Sequence, residues 1–211
     1  MKKVICLALL IFSVTCVAFT VAVRAEAPES DTGTGFFLSI GDHFSVSPTD
    51  ITVVRKKGIP DEEIPVVFFL ARQAKKAPLT ITDLRLKGQT WLEITKTYGF
   101  GPEIFYVPVE PNEEVVAPYG YAYGFYKEKP RNEWNNMYLE DADIINLVNL
   151  KFLSENHKYP PKDIMKMRHE DMKFYAINDE IVKQQKADPP PPPKTGTKKQ
   201  IWKLKKFIKK I

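Results

Sequence analysis

Apolar side chains in this chain recur at helical spacing around three prolines, and the offsets are the same at each. With Pro48, Pro78 and Pro161 in register, Phe37, Val67 and Leu150 lie eleven residues before, and Ile40, Leu70 and Leu153 eight before. Ile51, Ile81 and Ile164 lie three residues after, Val54, Leu84 and Met167 six after, and Ile64, Ile94 and Ile177 sixteen after. Such spacing predicts helices rather than the alternation of a strand. Self-similarity at fixed offsets predicts related units, each an apolar helix, a short helix opened by the proline, a tight turn and a further helix. The units run about 37–64, 67–94 and 150–177 inside a helical body at 35–182. The expected fold class is mainly α: a small bundle or array of three related helix–turn–helix repeats with an irregular Pro/Tyr/Gly-rich insertion.

Polar and special residues punctuate this pattern. A proline at the first helical position loses no hydrogen bond, and its fixed φ suits the start of the turn. Ser47 before Pro48 is a good N-cap. Gly58 and Gly88, ten residues past their prolines, suit the left-handed residue that ends a helix. Asp171 holds that place after Pro161 and is less suited, so a different turn is expected there. Gly41, Ala71 and Ser154, seven before each proline, are small enough for a close helix crossing. Pro65 starts or kinks the helix VVFFLARQA, and Asp141 or Asp143 caps the helix that carries Ile144, Ile145, Val148, Phe152 and Leu153. Arg55, Arg85 and Arg168 stand seven residues past each proline. They read as helix-end cations that favour the dipole and the free carbonyls, the alternative being an anion-binding row.

Residues 99–140 interrupt the pattern. There Tyr119, Tyr121, Tyr123 and Phe125 alternate with Gly120, Ala122 and Gly124. On an extended segment that alternation puts four rings on one side, a candidate stacking platform for a glycan or small molecule. The competing reading is an ordered loop whose rings pack onto the body.

Composition and charge assign the ends of the chain. Lys2 and Lys3, the apolar run Val4 to Val23 and the site Val23-Arg24-Ala25 describe a secretory signal peptide over 1–25, the alternative being an uncleaved anchor. A flexible lead, 26–34, follows. The exported chain is expected in the periplasm or cell envelope. Cys6 and Cys16 both lie in the signal segment, which leaves no disulfide, thiolate ligand or cysteine nucleophile beyond it. Residues 182–211 hold ten lysines against Asp188, whereas 26–181 hold 18 basic and 25 acidic residues, a net −7. An acidic body with a basic tail points to a separate partner for the tail.

The tail has a linker, 183–198, with five consecutive prolines, Pro189 to Pro193, and then a predicted helix, 199–211. Ile201, Leu204, Phe207, Ile208 and Ile211 form its apolar stripe. Lys198, Lys199, Lys203, Lys205, Lys206, Lys209 and Lys210 take the other side, with Trp202 among them. Such a helix suits an anionic membrane surface or another envelope polyanion. The alternative is docking on the chain's own acidic body, and the body itself offers a place for a protein partner.

Catalytic signals are missing. His43, His157 and His169 match no metal-ligand spacing, and no phosphate loop or nucleophile elbow occurs. The reading is therefore a non-enzymatic protein with no cofactor and no metal. GQTWLEITKTYG resembles the helix-turn-helix of DNA-binding regulators, but export and an acidic body argue against nucleic acid. PVVFFLA, DLRLKG-x-x-W-x-x-I and GPEIFYVP together resemble a group of uncharacterised exported bacterial proteins over about 36–181. That resemblance implies an envelope location and supplies no activity.

Overall fold

The computed structural model describes residues 33–187. The expected signal peptide (1–25), the cationic helix (199–211), nearly all of the lead and most of the proline-rich linker lie outside the described residues. All regular structure among the described residues is helical. It comprises α1 Thr34–Phe44, α2 Pro48–Lys56, α3 Ile64–Ala74, α4 Pro78–Leu86, α5 Trp91–Thr97, α6 Gly120–Glu128, α7 Asp141–His157, α8 Pro161–His169 and α9 Phe174–Ala187. Short 3-10 turns occur at Asp61–Glu63, Pro102–Phe105 and Arg131–Asn136. Helix α9 runs to Ala187, past the boundary expected at 182.

Pro48, Pro78 and Pro161 each take the first position of their helix. Ser47 adds a capping box: it accepts from Asp50 N–H while Asp50 accepts from Ser47 N–H. Before each proline the preceding helix ends in a left-handed residue, at Ser45 (φ 56°), Lys75 (φ 53°) and Lys158 (φ 54°). The next N–H then reaches back, Val46 to Gly41 O at 3.0 Å, Lys76 to Ala71 O at 3.0 Å and Tyr159 to Ser154 O at 3.1 Å. These bonds satisfy carbonyls that a helix end leaves orphaned. The small residues expected at a helix crossing are thus those whose carbonyls close the turn. A Cβ on Gly41 would lie 3.2 Å from Val46 O.

Ten residues past each proline the chain turns left-handed again, at Gly58 (φ 96°), Gly88 (φ 90°) and Asp171 (φ 60°). The different turn expected at Asp171 is not found. Met172 N–H reaches Met167 O at 3.2 Å, just as Gln89 N–H reaches Leu84 O at 3.3 Å. A short polar side chain such as Asp tolerates this conformation better than most. At α7 the cap is Glu140, one residue before the expected pair, with Asp143 completing a reciprocal box.

Helices α3 and α7 pack against each other at the centre. Every residue from Ile64 to Ala71 is buried, and α7 buries Ile144 and Asn146 through Leu150 as well as Phe152 and Leu153. Burial this complete exceeds the single apolar face expected for α7. Asn149, fully buried, donates to Glu62 O and to Ile145 O, both at 2.8 Å, tying the start of α3 to α7. Phe36 and Phe44 of α1 meet Phe152 of α7 with ring centroids 5.7 and 5.8 Å apart, closing the core on that side.

The three arginines converge on the 3-10 turn Asp61–Glu63. Arg55 Nε donates to Asp61 at 2.7 Å, Arg85 Nε to Glu63 at 2.9 Å, and Arg168 Nη1 lies 3.6 Å from Glu62. Arg85 and Arg168 share further geometry. Each donates to a turn carbonyl, Gln89 O at 3.2 Å or Met172 O at 3.0 Å. Each guanidinium stacks on an aromatic ring, Trp91 at 4.8 Å or Phe174 at 4.5 Å. The carboxylates complete a reciprocal arrangement. Asp141, at the start of α7, accepts from Arg85 at 2.5 Å and from the Trp91 backbone N–H of α5 at 2.7 Å. Glu62, just before α3, accepts the Phe174 backbone N–H of α9 at 3.0 Å. Burial alone would lower the Arg85 pKa, but its bonds to Glu63 and Asp141 hold it above the ordinary value.

Arg85 and Glu63 are only 20% and 12% exposed, whereas Arg55 and Asp61 are 54% and 41% exposed. Removing one partner of the inner pair leaves desolvated carboxylates behind, while the outer pair is screened by water. Arg85→Met should therefore cost about 2–3 kcal/mol in urea unfolding, below a fully buried pair because of its partial exposure. Arg55→Met should cost under about 1 kcal/mol in the same measurement.

Candidate functional site

The four rings singled out as a platform do not share a face. Residues 120–128 form helix α6 rather than an extended segment. On a helix, positions 119, 123 and 126 lie together and position 121 points elsewhere. Tyr119, Tyr123 and Tyr126 are buried, Phe125 is partly buried and Tyr121 is 57% exposed. A helix carrying glycines at 120 and 124 has weak intrinsic propensity, so tertiary contacts must hold it. Tyr123 donates its hydroxyl to Val107 O at 2.7 Å, and Tyr126 donates to Pro102 O at 2.8 Å. Burial pushes both hydroxyls well above the usual tyrosine range, so they stay neutral donors.

These bonds fasten α6 to the segment that precedes it. Tyr106 stacks edge-on against Tyr126 at 5.0 Å, and Trp134 approaches Tyr106 and Tyr126 at 4.8 and 4.7 Å. Lys151 of α7 donates to Tyr106 O at 3.2 Å, which anchors the assembly to the central helix. Between α6 and residues 106–115 a groove of about 580 Å³ remains open. It is lined by Tyr106, Tyr123 and Tyr126, by Val109, Pro111 and Val115, and by Gly120 and Gly124 of α6. Glu110, Glu113 and Glu114 stand along it against Lys127, so its lining is net acidic.

Of the predicted platform only Tyr123 lines the groove. Tyr119 sits under α6, in the core, and Tyr121 and Phe125 lie elsewhere on the helix. Of the groove residues that the alternation missed, Tyr126 was signalled by a different period, since Tyr119, Tyr123 and Tyr126 are spaced four and three apart, whereas Tyr106, outside α6, had no such signal. The predicted polyanion-binding residues 198–211 lie outside the described residues.

The histidines are spread apart and each has a local role. His157 shares a 2.9 Å hydrogen bond with Asn178, and His169 Nδ1 lies 3.1 Å from Ala117 O. His43 packs edge-on against Phe44 and Phe152, 3.7 Å from Glu155. Among the described residues no group of three or more His, Cys, Asp or Glu is placed to hold a metal ion. No helix among them is long and apolar enough to cross a membrane. Comparison with protein-family models, curated proteins and solved structures finds no match.

His43 has one measurable consequence. Burial and the nearby Arg72 hold its pKa below the ordinary histidine value, outweighing the pull of Glu155 in the other direction. The unfolded chain therefore binds the proton more readily, and stability falls as pH drops through about 6.5 and below. His43→Gln should flatten the slope of unfolding free energy against pH between about 7.5 and 5, measured by urea titration at each pH.

Proposed function

We propose that this chain is an exported, non-enzymatic envelope protein. Its body, 35–182, is built from three related helix–turn–helix units and serves as a rigid binding or scaffolding module. Its cationic C-terminal helix attaches to an anionic membrane surface or another envelope polyanion. The observation that carries this reading is the tail: seven lysines from 198 to 210, an apolar stripe from Ile201 to Ile211 and no acid among them. An amphipathic helix of this kind buries its stripe at the bilayer interface and sets its lysines among anionic headgroups. The proline run from 189 to 193 supplies a stiff spacer between body and surface.

The body supports the division of labour. Arg55, Arg85 and Arg168 are spent on Asp61, Glu62, Glu63 and Asp141, and the Tyr123 and Tyr126 hydroxyls on backbone carbonyls. Polar groups bound in this way rigidify a core. A second reading, a ligand-binding module in the aromatic insertion, is favoured by the open groove beside α6, whose volume lies within the range of about 300–1,000 Å³ for small-molecule sites.

Co-sedimentation with vesicles of phosphatidylglycerol and phosphatidylcholine tests the attachment. The full chain should pellet with anionic vesicles and stay soluble with neutral ones, and binding should weaken as salt rises. Equal pelleting after deletion of residues 194–211 would sink the reading.

A further inference from the structure

Gly124 lies in the middle of α6, where glycine costs about 1 kcal/mol relative to alanine. Ordinary structural needs do not account for it. Its backbone has none of the positive φ that glycines at 58 and 88 show, and nothing lies within 4 Å of a Cβ built on it. Gly120, one turn earlier, faces open space in the same way. Both line the groove, so what their missing side chains provide is room inside it. Room held open at a cost in helix stability is room for an occupant.

The lining states the occupant's chemistry. Tyrosine rings form the wall, and Glu110 and Glu114 stand exposed beside it. Glu113 is already engaged, accepting Glu110 N–H at 3.3 Å and lying 3.7 Å from Lys162. An apolar, aromatic lining with exposed carboxylates fits apolar side chains interleaved with cations, since lysines gain from both carboxylates and ring faces.

We infer that the groove beside α6 seats the chain's own lysine-rich segment, residues 198–211. The charges are complementary: this segment carries seven lysines and no acid. The length of the chain beyond α9 is in keeping with this. Tyr159 donates to Gln184 in the last turns of α9 at 2.6 Å, and Lys162, three residues on, lies at the rim beside Glu113. Those three steps span at most about 11 Å of backbone, and the side chains of Gln184, Tyr159 and Lys162 make up the rest of the path. Residues 188–197, half of them proline, cover about 30 Å at the polyproline rise. The groove admits a few side chains of the stripe, Phe207 and Ile208 foremost, with lysines lying across Glu110 and Glu114. The inference rests on the amphipathic reading of the tail, and makes the groove and an anionic surface competitors for one stripe.

A fluorescein-labelled peptide of residues 198–211, titrated by anisotropy, tests it. The chain ending at Thr197 keeps every buried core residue among the described residues and serves as receptor. It should bind the peptide in a salt-sensitive manner, and the full chain should bind at least about tenfold more weakly because its own tail fills the groove. Gly124→Trp, which fills open space, and the exposed pair Glu110→Gln with Glu114→Gln should each weaken binding by about tenfold, one decade of affinity. No binding by the shortened chain, or unchanged affinity in both variants with intact thermal unfolding, would overturn the inference. Vesicle pelleting of the full chain reads the membrane proposal separately: pelleting without groove binding sinks this inference alone.

Discussion

Three consecutive carboxylates, Asp61, Glu62 and Glu63, each meet a different arginine, and the arrangement of the other helices depends on that meeting. A partly desolvated carboxylate must be paired or protonated, so the turn before α3 fixes where Arg85 and Arg168 can sit. Those arginines in turn fix the turns that follow α4 and α8 by binding their carbonyls, and fix Trp91 and Phe174 by stacking on them. Asp141 and Glu62 then reach across to the first backbone N–H of α5 and α9. Each half of the body supplies an anion to the other half, which couples 61–97 to 141–187.

This economy shapes what is left for function. Groups that a sequence reader would reach for first, the arginine row above all, are absorbed by architecture. The Arg85 guanidinium already meets two carboxylates, a carbonyl and an indole ring, and its charge is balanced within the fold. Open chemistry lies instead on the insertion, where α6 leaves a groove with tyrosine walls and acidic edges. The insertion is anchored through Tyr123, Tyr126 and Lys151, which fix α6 and residues 102–107 beside the groove.

The helical frame was legible in the sequence because its signals are local. A proline that opens a helix, a glycine that closes one and a three-four apolar period act over a few residues. Asp171 was misread because glycine is the expected left-handed residue, yet the bond from Met172 to Met167 outweighs the strain of an aspartate there. The arginines were read as helix-end cations, which captured their bonds to turn carbonyls but not their partners. Arg168 and Glu62 are too far apart in the chain for any local rule to join them. Alternation at 119–125 suggested an extended segment because rings alternate there with Gly120, Ala122 and Gly124. What tips that stretch into a helix is burial of Tyr119, Tyr123 and Tyr126, together with two hydroxyl bonds formed only in the folded body.

Native-state hydrogen exchange tests most directly whether exchanged carboxylates make the two halves one cooperative body. Amides of α3 and α7, and the N–H groups of Trp91 and Phe174, should all exchange through one opening whose free energy equals that of global unfolding. Exchange of Phe174 and the rest of α9 through a separate, lower-energy opening, with α3 still protected, would contradict the account.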